Sequence, residues 1–290
     1  MIPKEYKFKQ EDLLNALFIE TKETHNFIEK SVVTCLQGQL EKTRTETPFL
    51  VTFFRIHFLI KSLIKLNSSK DVQSLTAIAR TSFELLIDLK ILEEDKVGNS
   101  IEKYHYFRDV LILRRAKNLV EFFAKTKRRA EDHGHKIFAD WLSTPGRIES
   151  IDETLMKHWG SLDVKRNKHW SAIDNIRERA SLFGVSYEQL YVENNLILNF
   201  YIHAGSSGFF GFDEAGITST YWQAVTLANQ MYLEAIQIII KKFELYKGFP
   251  NIREDLEKVK KISYAVLEQT YKNELEKKKE AQVKVVRHDL

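Results

Sequence analysis

The sequence predicts an all-α fold, specifically an irregular multi-helix bundle. The chain of 290 residues contains only 4 Pro and 11 Gly, so long stretches lack the residues that commonly interrupt helices. Apolar residues recur at spacings of three and four in many segments, and no segment shows the sustained two-residue alternation of a half-buried strand. Hydrophobic residues make up 43% of the chain, which is enough to bury a large core.

The helices can be placed in chain order from their apolar spacing and from the residues that begin and end them. Pro48 separates the first two helices, and the polar stretch 67–71, NSSKD, offers N-cap residues for the third. Asn99 or Ser100 can cap the fourth in the same way. Residues 159–170 have no apolar period and are predicted to form an exposed loop. The predicted helices are 10–43, 50–66, 70–93, 100–127, 136–142, 147–158, 171–184, 187–204, 218–247 and 251–282.

The predicted helices are expected to form one main helical domain over residues 67–250. Residues 1–66 are expected to be an N-terminal helical extension packed on that core. Residues 251–290 are expected to be a charged C-terminal helix and tail, because the stretch NELEKKKEAQ leaves too few apolar side chains to pack.

The composition of the chain bears on three questions: nucleic-acid binding, disulfide bonds and membrane insertion. The chain has 44 Lys and Arg against 40 Asp and Glu, and the net charge of +4 is too small to indicate nucleic-acid binding by the molecule as a whole. The single cysteine, Cys35, excludes an internal disulfide and is predicted to be a buried structural thiol. The N-terminus lacks a signal-peptide pattern, and the apolar segment 50–66 is judged too short and too charged to span a bilayer. We therefore expect a cytoplasmic protein with no membrane partner.

A row of polar residues runs along the apolar helix predicted at 70–93. Thr76, Arg80, Glu84 and Asp88 recur at steps of four, a spacing that places them on one side of a helix. Because a buried arginine or carboxylate is costly without a partner, this row needs water or partners from other helices. The row is interpreted either as part of a functional site or as a structural ion pair between Arg80 and Glu84.

A second row ends at a histidine. Tyr191, Asn195, Asn199 and His203 also recur at steps of four, within the otherwise apolar helix 187–204. His203 stands near the end of that helix, where the negative end of the helix dipole favours the protonated imidazole. The alternative is that His203 is a hydrogen-bonded core or C-cap histidine.

A third row lies in the helix predicted at 100–127, where Tyr104 and Arg108 are four residues apart. If the three helices pack together, their polar rows converge on one interior pocket. That convergence is the central structural hypothesis drawn from the sequence.

Three stretches resemble an uncharacterised bacterial family catalogued as domain of unknown function 5677. They are ARTSFELLIDLKIL, EKYHYFRD and HWSAIDNIRERASLFGVSYEQLYVENNLILNFYIHAGSSG, and the similarity covers residues 70–210. The chain departs from the family pattern at Thr81 and Asn199, where serine is expected. The family carries no known activity, so the resemblance supports the choice of positions alone. The matching residues are Arg80, Glu84, Trp170, Gly184, Tyr191 and His203.

Three further patterns in the sequence are an Arg–His spacing, a pair of nearby histidines and a basic surface. Arg128 to His133, or Arg129 to His135, meets the Arg–His spacing of helical ribonuclease domains of the HEPN kind, which cleave RNA without a metal. No further ligand stands at metal-binding spacing around His133 and His135, so no metal site and no cofactor is expected. A basic helix face near 114–128 and the loop 165–168, flanked by Trp159 and Trp170, could bind nucleic acid or could be solvated surface.

The leading hypothesis for function is a bacterial cytosolic effector, associated with defence or toxicity, that acts on RNA. Glu84 would orient Arg80, Arg80 would bind an anionic group, and His203 would transfer protons. The alternatives are a non-catalytic module that binds a small ligand or a partner helix, and a structural homo-oligomer. The residues expected to line the pocket are Tyr104, Arg108, Trp170, Tyr191, Asn195 and Asn199.

Overall fold

The computed structural model confirms the all-α fold class. It describes residues 10–38, 43–66, 68, 71–126, 136–195, 214–247, 249, 251–252, 254–259 and 261. Within these residues 84% are helical, ten α-helices are present and no strand occurs. Cys35 is buried, as predicted.

The helices follow the predicted order, with shifts of a few residues at most ends. The α-helices are α1 (Gln10–Ile28), α2 (Thr34–Gly38), α3 (Thr47–Lys65), α4 (Val72–Glu94), α5 (Ser100–Thr126), α6 (Lys136–Ser143), α7 (Arg147–Trp159), α8 (Ile176–Ser181), α9 (Val185–Leu190) and α10 (Glu214–Lys242). Two π-helical segments, Glu29–Val33 and Tyr191–Asn195, follow α1 and α9 directly, and 3₁₀ turns cover Leu162–Arg166 and Leu245–Lys247.

Contacts divide the chain into two compact units. The first comprises residues 1–89 and 189–290, and the second comprises residues 90–188. Each unit consists of residues that contact one another more than they contact the rest of the chain. The division at residues 66 and 250 that the sequence suggests stays a prediction.

In the first unit, helices α1, α3 and α10 pack against one another. Their contact faces are apolar because each helix repeats bulky or small apolar residues at helical spacing. Burial of this area is the main stabilising contribution of the unit. The buried side chains of α3 and α10 include Phe49, Phe53, Ile56, Ile60, Leu63, Ala224, Ala228, Met231, Tyr232, Ala235, Ile236 and Ile239.

Helix α3 begins three residues earlier than predicted, with Pro48 in its first turn, where the missing N–H is not needed. At 19 residues it is, among the described residues, the one helix long and apolar enough to cross a membrane by length and composition. The helix is longer than the predicted segment 50–66, so length alone does not exclude a membrane span. Half of its apolar window is buried inside the protein.

In the second unit, helices α5, α6 and α7 pack against one another. Helix α7 lies between two glycines with positive φ, Gly146 at +71° and Gly160 at +68°. Glycine adopts this left-handed conformation without the steric penalty of a Cβ atom, so both ends of α7 are set locally. The Gly160 N–H donates to the carbonyl of Met156, which closes the C-terminal turn.

Residues 159–170 form a largely irregular segment, as predicted, but the segment is only partly exposed. They contain a 3₁₀ turn, and Val164 and Trp170 are buried. The indole N–H of Trp159 donates to the carbonyl of Trp170 at 3.0 Å. The segment is too short for apolar periodicity, but single large side chains anchor it. The predicted helix 171–184 is likewise shorter, because Asn175 caps α8 at the Arg177 N–H, 2.9 Å away.

Candidate metal centre

A buried histidine on α3, His57, lies at the centre of a polar group inside the first unit. Its side chain is 2% exposed. Its Nδ1 atom lies 2.7 Å from the Tyr232 hydroxyl on α10, and its Nε2 atom lies 2.6 Å from Glu29 Oε2. Both ring nitrogens are thus hydrogen-bonded, as buried polar atoms require.

The carboxylate partner, Glu29, is the first residue of the π-helical segment that follows α1. A π turn inserts an extra residue and changes the direction in which following side chains leave the helix; such turns are frequent at functional sites. The Glu29 side chain is 44% exposed, so this side of the group reaches solvent. Lys61 Nζ lies 4.0 Å from the other carboxylate oxygen, Oε1.

A second histidine, His25, stands one helical turn before Glu29 on α1. Its Nε2 atom lies 3.9 Å from Glu29 Oε2. Its ring stacks on that of His57, with centroids 4.6 Å apart and planes 13° from parallel. Among the described residues, His25 Nε2 is a buried nitrogen with no hydrogen-bond partner, which leaves it available to a ligand.

These three residues form a ligand set for a metal ion. One ligand atom from each of His25, Glu29 and His57 lies within 4.8 Å of the other two, and this is the one such group among the described residues. Ligand atoms bound at about 2.1 Å to one ion lie about 3–3.5 Å apart. The stacked imidazoles of His25 and His57, whose planes are 13° from parallel, must rotate out of their stack before the lone pairs of both rings point at one shared ion.

Burial keeps both imidazoles neutral. Burial, with a smaller contribution from the nearby His57, lowers the pKa of His25 to about 4 against the opposing effect of Glu29. Burial also lowers the pKa of His57, and the hydrogen bond to Glu29 opposes that shift. A neutral imidazole has a lone pair for a metal ion, whereas a protonated one has none.

The proton positions follow from this charge state. A carboxylate only accepts, so the His57 Nε2–H donates to Glu29 and Nδ1 accepts from the Tyr232 hydroxyl. Burial raises the pKa of Tyr232 well above its usual value, so that hydroxyl keeps its proton. The Tyr232 hydroxyl can also accept a hydrogen bond from Nδ1–H of His57. In that second tautomer Nε2 carries no proton, so its lone pair is free to bind an ion.

The predicted catalytic pair Arg80 and Glu84 lies on α4, in the same unit. Arg80 Nε donates to Glu84 Oε1 at 3.1 Å, and the two side chains are 31% and 34% exposed. Thr76, one turn earlier, is buried and donates to the carbonyl of Gln73, whereas Asp88 is half-buried. The third predicted catalytic residue, His203, lies outside the described residues.

The predicted pocket residues divide between the units. In the second unit, Tyr104 and Trp170 meet edge to face with ring centroids 5.6 Å apart, and Arg108 is exposed. In the first unit, the Tyr191 ring lies 6.4 Å from that of Phe83. Asn195 is described only as backbone of the second π-helical segment, and Asn199 lies outside the described residues.

Two of the basic residues proposed as a nucleic-acid surface form ion pairs within the protein. Lys165 pairs with Asp152, and Lys125 pairs with Glu121 at 2.8 Å. Trp170 is buried, so its ring is not an open platform for bases. The Arg–His spacing at 128–135 lies outside the described residues.

Sequence reasoning missed the metal-ligand group, although two signals were present. His25 and Glu29 are four residues apart in a predicted helix, and His57 is an ionisable residue in the most apolar helix of the chain. Each signal is common in helical proteins, and nothing in the sequence connects them.

Comparison with known proteins yields one match. The model of a family described as "Family of unknown function (DUF5677)" matches residues 46–216, more than half of the chain. The matched region includes His57 and Arg80, whereas His25, Glu29 and Tyr232 lie outside it. No curated protein and no solved structure matches the chain.

Proposed function

The chain belongs to DUF5677, a family of unknown function, and we propose that this member is a metal-binding protein whose ion is held by His25, Glu29 and His57. The observation that carries the proposal is the convergence of three ligand atoms, within 4.8 Å of one another, from two separate helices and a π turn. Both imidazoles are neutral at pH 7 and so are ready to bind without first losing a proton.

The ligand types indicate which ion is bound. Two imidazole nitrogens and one carboxylate oxygen suit a divalent transition metal such as Zn²⁺, whereas Mg²⁺ and Ca²⁺ favour oxygen ligands throughout. Three protein ligands leave one coordination position open, as in catalytic rather than structural zinc sites. An ion there would act as a Lewis acid towards an oxygen atom of water or substrate, which supports a hydrolytic activity.

The surrounding residues have distinct tasks in this proposal. Tyr232 is a positioning residue: with an ion bound, its hydroxyl would accept the Nδ1–H of His57 and so keep Nε2 unprotonated for the ion. Glu29 neutralises part of the ion's charge and is the ligand on the solvent side. His25 supplies the second nitrogen, which is otherwise buried without a hydrogen-bond partner among the described residues.

Metal titration of the full-length protein tests the proposal. Calorimetry with Zn²⁺ should show one site per chain, and Co²⁺ should give the visible absorption spectrum of a nitrogen- and oxygen-ligated ion. His25→Ala and Glu29→Gln should each weaken Zn²⁺ binding by at least about tenfold. His158→Ala, a histidine of the second unit, is the matched control and should bind as wild type does.

Two results would contradict the proposed metal centre. If folded wild-type protein, checked by circular dichroism, binds none of Zn²⁺, Co²⁺, Ni²⁺ or Fe²⁺, the proposal is wrong. It is also wrong if His25→Ala and Glu29→Gln bind Zn²⁺ as tightly as the His158→Ala control.

We also propose a second candidate function: a bacterial cytosolic effector of defence or toxin type, acting on RNA through Arg80, Glu84 and His203. The observation that favours it is the geometry of the Arg80–Glu84 pair. Glu84 engages Nε, so the Nη groups of Arg80 remain as donors for a phosphate, and the side chain is 31% exposed.

Incubation of the purified protein with total cellular RNA tests this second function. Wild type should cleave RNA, and Arg80→Ala and His203→Ala should lose cleavage while keeping their melting temperatures. Cleavage that persists in EDTA would separate this activity from the metal centre. Intact RNA after incubation with wild-type protein would eliminate the ribonuclease hypothesis.

A further inference from the structure

This inference rests on the proposed metal centre and concerns the ligand that its open position would accept. The two histidines are buried, with side chains 8% and 2% exposed, whereas Glu29 and Lys61 are 44% and 49% exposed. A fourth ligand arriving from solvent therefore reaches the ion past Glu29 and Lys61. The chemistry of that entrance selects what binds.

The entrance is positively charged once an ion is bound. Glu29 supplies one negative charge, which only partly neutralises a divalent cation, and imidazoles bound to the ion add no charge. The Lys61 ammonium, 4.0 Å from Glu29 Oε1, adds a further positive charge at the same point. An anionic oxygen is the ligand that complements this charge, through the ion and through Lys61 together.

An apolar groove adjoins the same group along α3. It has a volume of about 460 Å³, within the range of small-molecule sites. Two of its lining residues border the metal centre: the ring centroids of Phe58 and Phe54 lie 5.8 Å and 6.4 Å from that of His57. The residues that line the groove are Thr47, Leu50, Val51, Phe54, Arg55 and Phe58.

The groove exposes large apolar side chains to water, which is unfavourable for the free energy of folding. Phe58 is 58% exposed and Val51 is 44% exposed, and both lie on the helix that carries His57. Large exposed apolar side chains that cluster beside polar groups are typical of ligand-binding surfaces. Arg55 also lines the groove, and α3 contains no acidic residue, so an anionic ligand meets no repulsion from this helix.

We propose that the site binds a small amphiphilic anion with an apolar body. Its carboxylate or phosphate oxygen occupies the open position of the ion beside Lys61, and its apolar body lies in the groove against Phe54 and Phe58. The two parts of the site are covalently linked through one helix, since His57, Phe58 and Lys61 fall within little more than one turn of α3. A ligand that fills both parts gains affinity from each.

Calorimetry on zinc-loaded, full-length protein tests the proposal with matched probes. Octanoate has both parts, acetate has only the anionic head, and octan-1-ol has only the apolar body. Octanoate should bind at least about tenfold more tightly than either of the others. Octyl phosphate serves as a second head group, and its affinity relative to octanoate identifies which anion the site favours.

Two pairs of variants separate the head from the body. Lys61→Gln should weaken octanoate and acetate alike by about tenfold, whereas Lys65→Gln, on the same helix, should bind both as wild type does. Phe58→Ser should weaken octanoate but not acetate, whereas Phe122→Ser, equally exposed in the second unit, should weaken neither. Zinc occupancy is measured for every variant, so octanoate affinities are compared only between zinc-loaded proteins.

The outcomes distinguish this inference from the proposed function. Normal zinc binding without octanoate binding overturns the inference and leaves the metal centre standing. Equal octanoate binding to zinc-loaded and EDTA-stripped protein also overturns it, because the anion would then lie away from the ion. Absence of zinc binding overturns both. A dimer in light scattering that Phe58→Ser dissociates would assign the groove to a second copy and would contradict the inference.

Discussion

Two groups of polar residues in the first unit differ in sequence separation and in burial. Arg80 and Glu84 lie on one helix, four residues apart, and both are about one-third exposed. His57 and Tyr232 are 175 residues apart in the chain and meet in the core, where both are buried. The local pair is held by helix geometry alone, whereas the buried group exists only while α1, α3 and α10 are packed.

The comparison shows that burial changes the pKa and the hydrogen bonding of a polar side chain more than partial exposure does. At a partly exposed position water competes with the protein contacts of a charged side chain, so an ion pair contributes little to stability. In the core, desolvation lowers the pKa of His25 to about 4 and leaves a nitrogen without a hydrogen-bond partner among the described residues. The same residue types therefore carry different free energies in the two settings, and the predictions below measure that difference.

Removal of the Tyr232 side chain should have the largest effect. Tyr232 is fully buried, and Tyr232→Ala would leave a cavity between three helices, for which a loss of about 3–5 kcal/mol in the free energy of unfolding is expected. Urea denaturation followed by circular dichroism measures it. Phe122→Ala, at an exposed position, is the control and should change stability by less than about 0.5 kcal/mol. Equal losses in the two variants would contradict the assignment of Tyr232 to the core.

Acidification of metal-free protein should destabilise it through His25. Its pKa is about 4 when folded, against 6.5 for an unperturbed imidazole, so the unfolded chain binds more protons between these pH values. The stabilising contribution is complete above pH 6.5 and is lost as the pH falls towards 4, by about 1–3 kcal/mol. Urea midpoints from pH 7 to pH 4 in EDTA test this. His25→Gln should flatten the profile, and an unchanged profile would disprove the buried neutral histidine.

Removal of only the Tyr232 hydroxyl isolates the hydrogen bond to His57. Tyr232→Phe keeps the ring and leaves His57 Nδ1 buried without that partner, which should cost about 1–2 kcal/mol. If the metal centre is correct, this variant should also bind Zn²⁺ more weakly, because the His57 tautomer is no longer held. A stability equal to that of wild type would show that the 2.7 Å contact contributes no free energy.

The Arg80–Glu84 pair should show the smallest effect. A double-mutant cycle with Arg80→Ala and Glu84→Ala is expected to give a coupling free energy of about 0.3–0.5 kcal/mol, as for other exposed pairs at this spacing. The coupling should decrease in 1 M salt because exposed charges are screened. A coupling above about 2 kcal/mol would remove the contrast between the two groups.

Much of the helical framework was predictable because its signals are local. The helix at 100–127 was predicted almost as α5 occurs, since its polar cap and apolar spacing lie within the segment itself. The prediction was incomplete at 159–170, where Val164 and Trp170 are buried and an indole hydrogen bond rather than a periodic face organises the chain. Apolar periodicity needs several turns to become visible, and this segment has only a short 3₁₀ turn.

The candidate site was less predictable for the same reason. The spacing of Arg80 and Glu84 predicted that the two could meet, and they do. His25, Glu29 and His57 were each visible in the sequence, but their convergence was not, because apolar spacing tells which face of a helix is buried and not which helix covers it.

The sequence by itself determined that this protein is helical, approximately where its helices begin and end, and which charged residues pair within one helix. Only the tertiary structure decided that α1, α3 and α10 enclose two histidines, a carboxylate and a tyrosine. The physical reason is range: helix formation depends on neighbours within four residues, whereas the burial that makes these imidazoles neutral and available to a metal ion arises from side chains that are distant in the chain.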